Sequence, residues 1–327
     1  MEYAITVDPG KDTTKCISRT FGKTYDNRTS FTTKFYDLNN GDVEIQGNSS
    51  HVIYDGQEII IGEQGEIFDT TTSKTTILHK IAIFTAISRV IDSDDPNPVI
   101  TLTVGCPTTI YKNKVSKESY REFIKLNPNI IVDGKHYAFE FKKIIIKCEG
   151  SGIVYLKPEI FTSQRVAVLD IGGRNMNFGI YDNRIPVPST LFSNNFGSTK
   201  LQSMVQEELN ILLGIDCDIE TAKSAIEFGG IFINGKLNND SAFIVSDQIE
   251  KYIDQYIIKP IEEKNISISF IPVMAIGGTS SLIIEQLKER IPQIIIPSFS
   301  ADLEDFQWAN VRGFDVVCKV KAGMING

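Results

Sequence analysis

The chain has 327 residues, 42% of them hydrophobic and 23% charged, with a formal net charge of −8. That length suits two domains of ordinary size and the composition is that of a soluble globular protein. No apolar run reaches about 18 residues, so no transmembrane helix is expected, and an acidic balance without a Lys/Arg block argues against broad nucleic-acid binding.

The N-terminal MEYAITVD enters a strand directly, with no basic-plus-apolar leader, so no secretory signal is expected and a cytoplasmic location follows. Residues 2–7 and 13–20 read as a hairpin around Asp8-Pro9-Gly10. Residues 24–70 are rich in Thr, Asn, Asp and Gly with short β-like pieces, and Asp55-Gly56 is a hairpin turn. The spacing of Ile77, Ile81, Phe84, Ile87 and Ile91 predicts an amphipathic helix from Ser73 to Ile91, capped by Thr72 or Ser73. The Pro-bearing stretch 92–98 breaks it.

Val99 to Val104 reads as a buried strand closed by Gly105-Cys106-Pro107, and a polar helix follows at about 113–126. A hairpin turns at Asp133-Gly134, and its second strand runs through Phe139, Phe141 and Ile144–Ile146 to Cys148. Glu149-Gly150-Ser151-Gly152 then opens a short helix that ends before Pro158. An acid there serves as a catalytic or metal-linked carboxylate, or simply as a favourable charge at a helix N-terminus.

The stretch Arg165 to Tyr181 repeats the opening pattern: apolar strand, Asp170-Ile171-Gly172-Gly173, second strand. Such a turn also closes ordinary hairpins. Its glycines let backbone N–H groups approach an anion, and its acid can hold a hydrated divalent cation. Asp8 matches Asp170 and Gly10 matches Gly172, which points to an internal duplication.

Helices are predicted at 198–213, 219–228 (ended by Gly229-Gly230) and 247–263, where Pro260 cuts the last turn. Asn234-Gly235 is a hairpin signal. Phe270 to Ile276 reads as a strand running into Gly277-Gly278-Thr279, a helix start that suits phosphate or ribose as well as an ordinary turn. Helices at 282–290 and about 302–312 close the chain, with Gly313 as C-cap of the last. Five scattered cysteines (Cys16, Cys106, Cys148, Cys217, Cys318) without a C-x-x-C pair read as free thiols. His51, His79 and His136 lack metal-ligand spacing and read as surface or packing residues. Alternating strands and helices in both halves give the class α/β.

The order Asp8-x-Gly10, Glu149, Asp170-x-Gly172-Gly173, Gly277-Gly278-Thr279 resembles the superfamily of actin, heat-shock chaperones and sugar kinases. With Gly105-Cys106-Pro107 and Trp308-Ala309-Asn310-Val311-Arg312-Gly313-Phe314, nearly the whole chain resembles the bacterial actin-like plasmid-segregation ATPases, the ParM family. The resemblance implies an actin-like fold: two related α/β domains flanking a nucleotide cleft, each with a smaller inserted subdomain. Residues 1–164 would form domain I with a strand-rich subdomain at about 24–70. Residues 165–300 would form domain II, and 301–327 would return to domain I.

The same resemblance implies ATP/ADP and Mg2+ as cofactors. Asp8 and Asp170 would hold Mg2+ through its waters. Gly10, Lys11, Asp12, Thr13, Thr14 and Lys15 would wrap the β- and γ-phosphates, and Gly172, Gly173, Arg174 and Asn175 would form the second phosphate loop. Many members carry Thr where Arg174-Asn175 stand; Asn175 can still donate a hydrogen bond, and Arg174 adds a charge. Glu149 would orient the attacking water, Gly277, Gly278 and Thr279 would face the α-phosphate and ribose, and Glu220 and Lys223 the adenosine. The implied function is a filament-forming ATPase that moves plasmid DNA through a DNA-binding adaptor at a centromere-like site, with no direct nucleic-acid or membrane contact. The alternatives are a small-molecule kinase, for which no second base is visible beside Glu149, and a non-filamentous ATP-dependent scaffold. A chaperone would need a substrate domain beyond residue 327.

Overall fold

The computed structural model describes residues 1–69, 71, 73–92, 94–214, 216–297 and 304–326. The chain divides into two units, Met1–Ile160 with Trp308–Gly327, and Phe161–Gln307.

In the first unit a five-stranded sheet runs in the order Glu140–Cys148, Val99–Cys106, Glu2–Pro9, Thr13–Thr20, Asn27–Thr32. The first three strands are parallel and the last two antiparallel. Residues 3–7 are all buried, the near-continuous burial expected of a strand covered on both faces. Because the three parallel strands share a direction, their carboxyl ends bring Asp8, Gly105 and Glu149 to one edge. Helix Ile77–Ser88, buried from His79 onward, packs on this sheet and carries Ile81, Phe84 and Ile87 into the core. Its cap is Thr76, whose hydroxyl accepts the His79 N–H, not Ser73; Thr72 lies outside the described residues.

A second, six-stranded sheet joins Lys135–Ala138, Asn129–Val132, Ser49–Tyr54, Gln57–Gly62, Lys34–Asp37 and Ile67–Phe68. Both of its predicted turns have two successive residues in the left-handed region: Asp55 and Gly56 at φ 50° and 78°, Asp133 and Gly134 at 50° and 76°. The sequence reads one strand running from this hairpin to Cys148. The structure splits it: Lys135–Ala138 pairs with Asn129–Val132, and the chain changes sheet at Phe139, which is buried between aromatic neighbours Tyr137, Phe84 and Phe141.

The second unit repeats the first hairpin. Arg165–Ile171 and Met176–Asp182 are antiparallel, and Val273–Ile276 lies parallel beside the former, as Val99–Cys106 lies beside Glu2–Pro9. Helices Ser198–Leu213 and Ile219–Phe228 end at left-handed Gly214 and Gly229. The helix expected from residue 247 begins at Asn239, where Asn238 accepts the Ser241 N–H; Ser241, Ile244, Val245 and Gln248 already form its buried face. It continues through a wide π turn, Ile253–Ile258, into Lys259–Glu262, so Pro260 does not end it. The wide turn comes just before Pro260, whose missing N–H breaks the regular ladder. The helix expected at 282–290 is two pieces, Gly278–Leu282 and Ile284–Arg290.

The last helix is longer than its sequence suggests. It runs Glu304–Ala322, straight through Gly313; residues 302 and 303 lie outside the described residues. Gly313 is there for space, not as a cap: a Cβ on it would stand 1.8 Å from the Gly152 carbonyl oxygen. Gly152 returns the constraint, since its Cβ would lie 2.4 Å from the Asn310 Cα. The Asn310 side-chain oxygen accepts the N–H groups of Gly150 and Gly152 at 3.1 and 3.3 Å and so fastens the helix to the turn after Glu149.

All five cysteines are free and buried. Cys318 lies under the first sheet with its thiol against the Ile5 and Thr101 carbonyls, and burial pushes it up to about 11. Close by in sequence, Asp315 is buried with one oxygen 2.5 Å from the Lys319 ammonium, which also reaches Asp26 at 2.8 Å. Burial raises the Asp315 carboxyl to about 6, against the pull of Lys319.

Two stability tests follow from this helix. Gly313→Ala should lower the unfolding free energy by about 3 kcal/mol, read as a drop in urea midpoint; an unchanged midpoint would reject the close crossing. Asp315 keeps its proton up to about pH 6 when folded but releases it near pH ~4 when unfolded. Its contribution is therefore complete below about pH 4 and is lost as pH rises through about 6, a change of about 2–3 kcal/mol. Asp315→Asn should flatten the urea midpoint between these values; a slope equal to the wild type's would reject the assignment.

Candidate functional site

The first unit's turn is built by glycine and threonine. The Gly10 N–H donates to the Asp8 carbonyl at 3.0 Å, and a Cβ on Gly10 would lie 2.4 Å from the Thr13 carbonyl oxygen, so glycine alone fits. Thr33 braces the turn: its N–H donates to the Asp12 carbonyl at 2.7 Å and its hydroxyl to the Gly10 carbonyl at 2.9 Å. A planar trans peptide points its N–H opposite its C=O. The N–H groups of Lys11 and Thr13 therefore face away from Thr33, the arrangement that suits an anion. Asp12 is exposed, and the Thr14 hydroxyl is buried against that of Thr33.

Asp8 pairs in register with Lys15 across the hairpin. Burial raises its carboxyl above the usual range; Lys15 opposes this, the Glu149 charge adds to it, and Lys74 opposes it again. Glu149 is pinned by its N–H to the Cys106 carbonyl at 2.9 Å. Gly105 keeps room for both acids: its Cβ would lie 3.2 Å from an Asp8 carboxylate oxygen and 3.7 Å from the Glu149 Cγ.

Two lysines cross this turn. Lys11 forms an ion pair with Asp69 at 2.6 Å and donates to the Ser73 carbonyl at 3.1 Å. Burial opposes ionisation of Asp69, but hydrogen bonds from Lys11, Thr76 and Thr71 prevail and hold its carboxyl below the usual range. Lys74, which no sequence pattern singled out, lies 3.2 Å from Glu149 Oε1 and donates to the Pro9 carbonyl at 2.9 Å. Beneath them His79 is buried with its ring on the Tyr120 hydroxyl at 3.0 Å. Burial first, then the charges of Lys74 and Lys11, drive its pKa well down, so it packs as a neutral ring.

The second unit's turn turns its carbonyls inward. Gly172 C=O accepts from the Ser198 N–H (3.1 Å) and the Thr279 hydroxyl (2.8 Å). Gly173 C=O accepts from the Thr199 N–H (2.9 Å) and hydroxyl (2.8 Å), and Arg174 C=O from the Gly197 N–H (3.2 Å). By the same peptide geometry the N–H groups of Gly173, Arg174 and Asn175 point the other way, three in succession. Gly197 is needed for this approach, since its Cβ would lie 2.5 Å from the Arg174 nitrogen.

Asp170, buried at the strand end, has the Asn177 amide 3.5 Å from its carboxylate. Gly277, at φ 91°, leaves Asp170 its space: a Cβ there would lie 2.7 Å from Asp170 Oδ1. Gly278 follows beside Gln307. Thr279 serves the turn, its hydroxyl being given to Gly172. Glu220 and Lys223 stand exposed one turn apart on helix Ile219–Phe228.

The family described as "Actin like proteins N terminal domain" matches residues 6–152. The chain is 35% identical to the protein of the "Alp12 filament structure", covering 98% of this chain and 99% of that one, with a TM-score of 0.70. The chain belongs to the actin-like protein family. At lower identity the likeness shows the fold alone. An archaeal actin homologue, Ta0583, in complex with ADP is 18% identical (96% and 98% covered, TM-score 0.72). The protein of a 15-stranded ParM filament from Clostridium botulinum is 15% identical (97% and 99%, TM-score 0.74). No curated protein sequence matches the chain.

In this actin-like chain the resemblance read from the residues and the actin-like fold agree. The first unit gathers Asp8, Gly10, Lys15 and Glu149 as the parallel strands end; the second gathers Asp170, the 172–175 turn, Gly277 and Thr279. Sequence reasoning missed Lys74 and the spacing role of Gly105. The one available signal for Lys74 was a lysine just ahead of an otherwise apolar helix start. Among the described residues no group of three or more His, Cys, Asp or Glu could hold a metal, and no helix is long and apolar enough to cross a membrane.

Proposed function

We propose that this actin-like chain binds ATP, assembles into filaments, and hydrolyses the nucleotide slowly within them. It would act in the cytoplasm and move plasmid DNA through a DNA-binding adaptor at a centromere-like site. The observation that carries this reading is the full-length, 35% identity to a protein whose structure is a filament. The duplicated turns, each with an acid and outward N–H groups, supply a chemical reason for nucleotide dependence. The net charge of −8 favours contact with DNA through an adaptor.

Phosphoryl transfer needs positioning and charge neutralisation more than covalent chemistry. Gly10 to Lys15 would cradle the terminal phosphates, with Lys15 as the charged contact, and Gly172 to Asn175 would supply the second row of donors. Gly277, Gly278 and Thr279 would serve the α-phosphate and ribose, with Thr279 also fixing the Gly172 turn, and Glu220 and Lys223 the adenosine side. Asp8 and Asp170 are hard oxygen donors and fit a hydrated Mg2+, which keeps several waters and takes few protein ligands. Bound there, Mg2+ would neutralise charge on the transferred phosphate. Glu149, held by Lys74, would line up the attacking water.

Pelleting or light scattering with ATP and Mg2+, beside the same assay with ADP, tests the filament reading; it fails if nucleotide produces no assembly even at high protein concentration. Glu149→Ala should still assemble but release phosphate about 100-fold more slowly or worse; a normal release rate would remove Glu149 from the mechanism. Asp170→Ala should weaken Mg-nucleotide binding by about tenfold or more, and an unchanged affinity in titration calorimetry would reject its metal role.

A further inference from the structure

Lys74 is buried, its side chain only 5% exposed, and touches two functional elements at once: Glu149 Oε1 at 3.2 Å and the Pro9 carbonyl at 2.9 Å. A buried ion pair is a poor device for stability, because removing both charges from water costs about as much as their attraction returns. Stability therefore does not account for a lysine at this place. Pro9 belongs to the Asp8 turn and Glu149 to the end of a different strand, so the ammonium ties the turn to the acid. Lys11 makes the reverse tie, from the turn to Asp69 and the Ser73 carbonyl, which fixes the backbone on which Lys74 sits.

We propose that Lys74 is a positioning residue for hydrolysis: its ammonium, anchored on the Pro9 carbonyl, holds the Glu149 carboxylate where it meets the attacking water. This rests on the ATPase reading with Glu149 as the water-orienting acid. In the step, the water oxygen bonds to the terminal phosphorus. The bond from that phosphorus to the bridging oxygen breaks, and its electron pair leaves with ADP. The water's proton passes by way of Glu149 to the released phosphate.

The test uses the full chain with Lys74→Ala, Lys74→Arg, Glu149→Gln, and the Lys74→Ala/Glu149→Gln pair, measuring phosphate release and nucleotide affinity separately. Lys74→Ala should lower kcat about 100-fold while KM and ADP affinity stay within about threefold. Lys74→Arg should recover about tenfold of that loss, since a guanidinium donates to both acceptors. The double variant should be no more than about threefold slower than Glu149→Gln alone, because residues acting as one unit are not additive. A wild-type kcat in Lys74→Ala, an affinity loss that parallels the rate loss, or an additive double variant would each overturn the proposal. Should Lys74→Ala not fold, Lys74→Arg alone decides: a rate about tenfold below the wild type's with no change in affinity supports the role, and a wild-type rate, or an affinity loss in step with the rate, rejects it. Wild-type protein that binds nucleotide but releases no phosphate rejects the ATPase reading and this role with it. Slow Glu149→Gln beside a normal Lys74→Ala rejects the Lys74 role alone.

Discussion

What the first unit can offer a ligand depends on the register of three parallel strands. Val7 aligns with Val104, and Val104 with Ile146, so Asp8, Gly105 and Glu149 leave the sheet on one edge within a residue or two of each other. A shift of one residue in either pairing would send an acid to the opposite face. Gly105 makes the register usable, because a Cβ there would crowd an Asp8 carboxylate oxygen at 3.2 Å and reach the Glu149 Cγ at 3.7 Å. The acids then meet in a poorly hydrated place, where burial and mutual repulsion raise Asp8 and two lysines answer them.

The two units reach the same kind of turn by different bracing. Thr33, just past the end of strand Asn27–Thr32, holds the first turn by one N–H and one hydroxyl. In the second unit the brace comes from the start of helix Ser198–Leu213 and from Thr279, which together donate to the carbonyls of three successive residues, Gly172, Gly173 and Arg174. Each brace occupies carbonyls and so commits the neighbouring N–H groups to the other side. The residues that face a ligand are thus set by residues that do not, and the brace is as much part of the site as Asp8 or Asp170.

Much of this was legible in the sequence. The acids at 8, 149 and 170 each end an apolar run beside glycine, so local pattern places them, and the hairpin signals at 55–56, 133–134 and 234–235 all fold as turns. What local pattern lacks is the partner across space. Gly313 looks like a helix end because a glycine after an apolar helix usually is one; the Gly152 carbonyl against which it packs lies 161 positions away along the chain, and only the folded crossing reveals it. Lys74 is invisible for the same reason, since Glu149 and Pro9 meet it only in three dimensions. The strand that divides at Phe139 has β-like residues on both sides of the division, Tyr137 before it and Phe141 and Ile144–Ile146 after it, and its change of sheet follows from aromatic packing that periodicity does not encode.

The five buried thiols carry a consequence of their own. A cysteine sealed in a core reacts with an alkylating reagent only when the surrounding structure opens, so its labelling rate reads local opening. Cys16, Cys106, Cys148 and Cys318 lie in the first unit and Cys217 in the second. Cys106 and Cys148 sit in register at the strand ends beside Glu149, whereas Cys16 lies within strand Thr13–Thr20 and Cys318 on the last helix, against the Ile5 carbonyl. The native chain therefore contains clocks at several places, and a bound molecule that quiets one of them would reveal which part of the fold it closes.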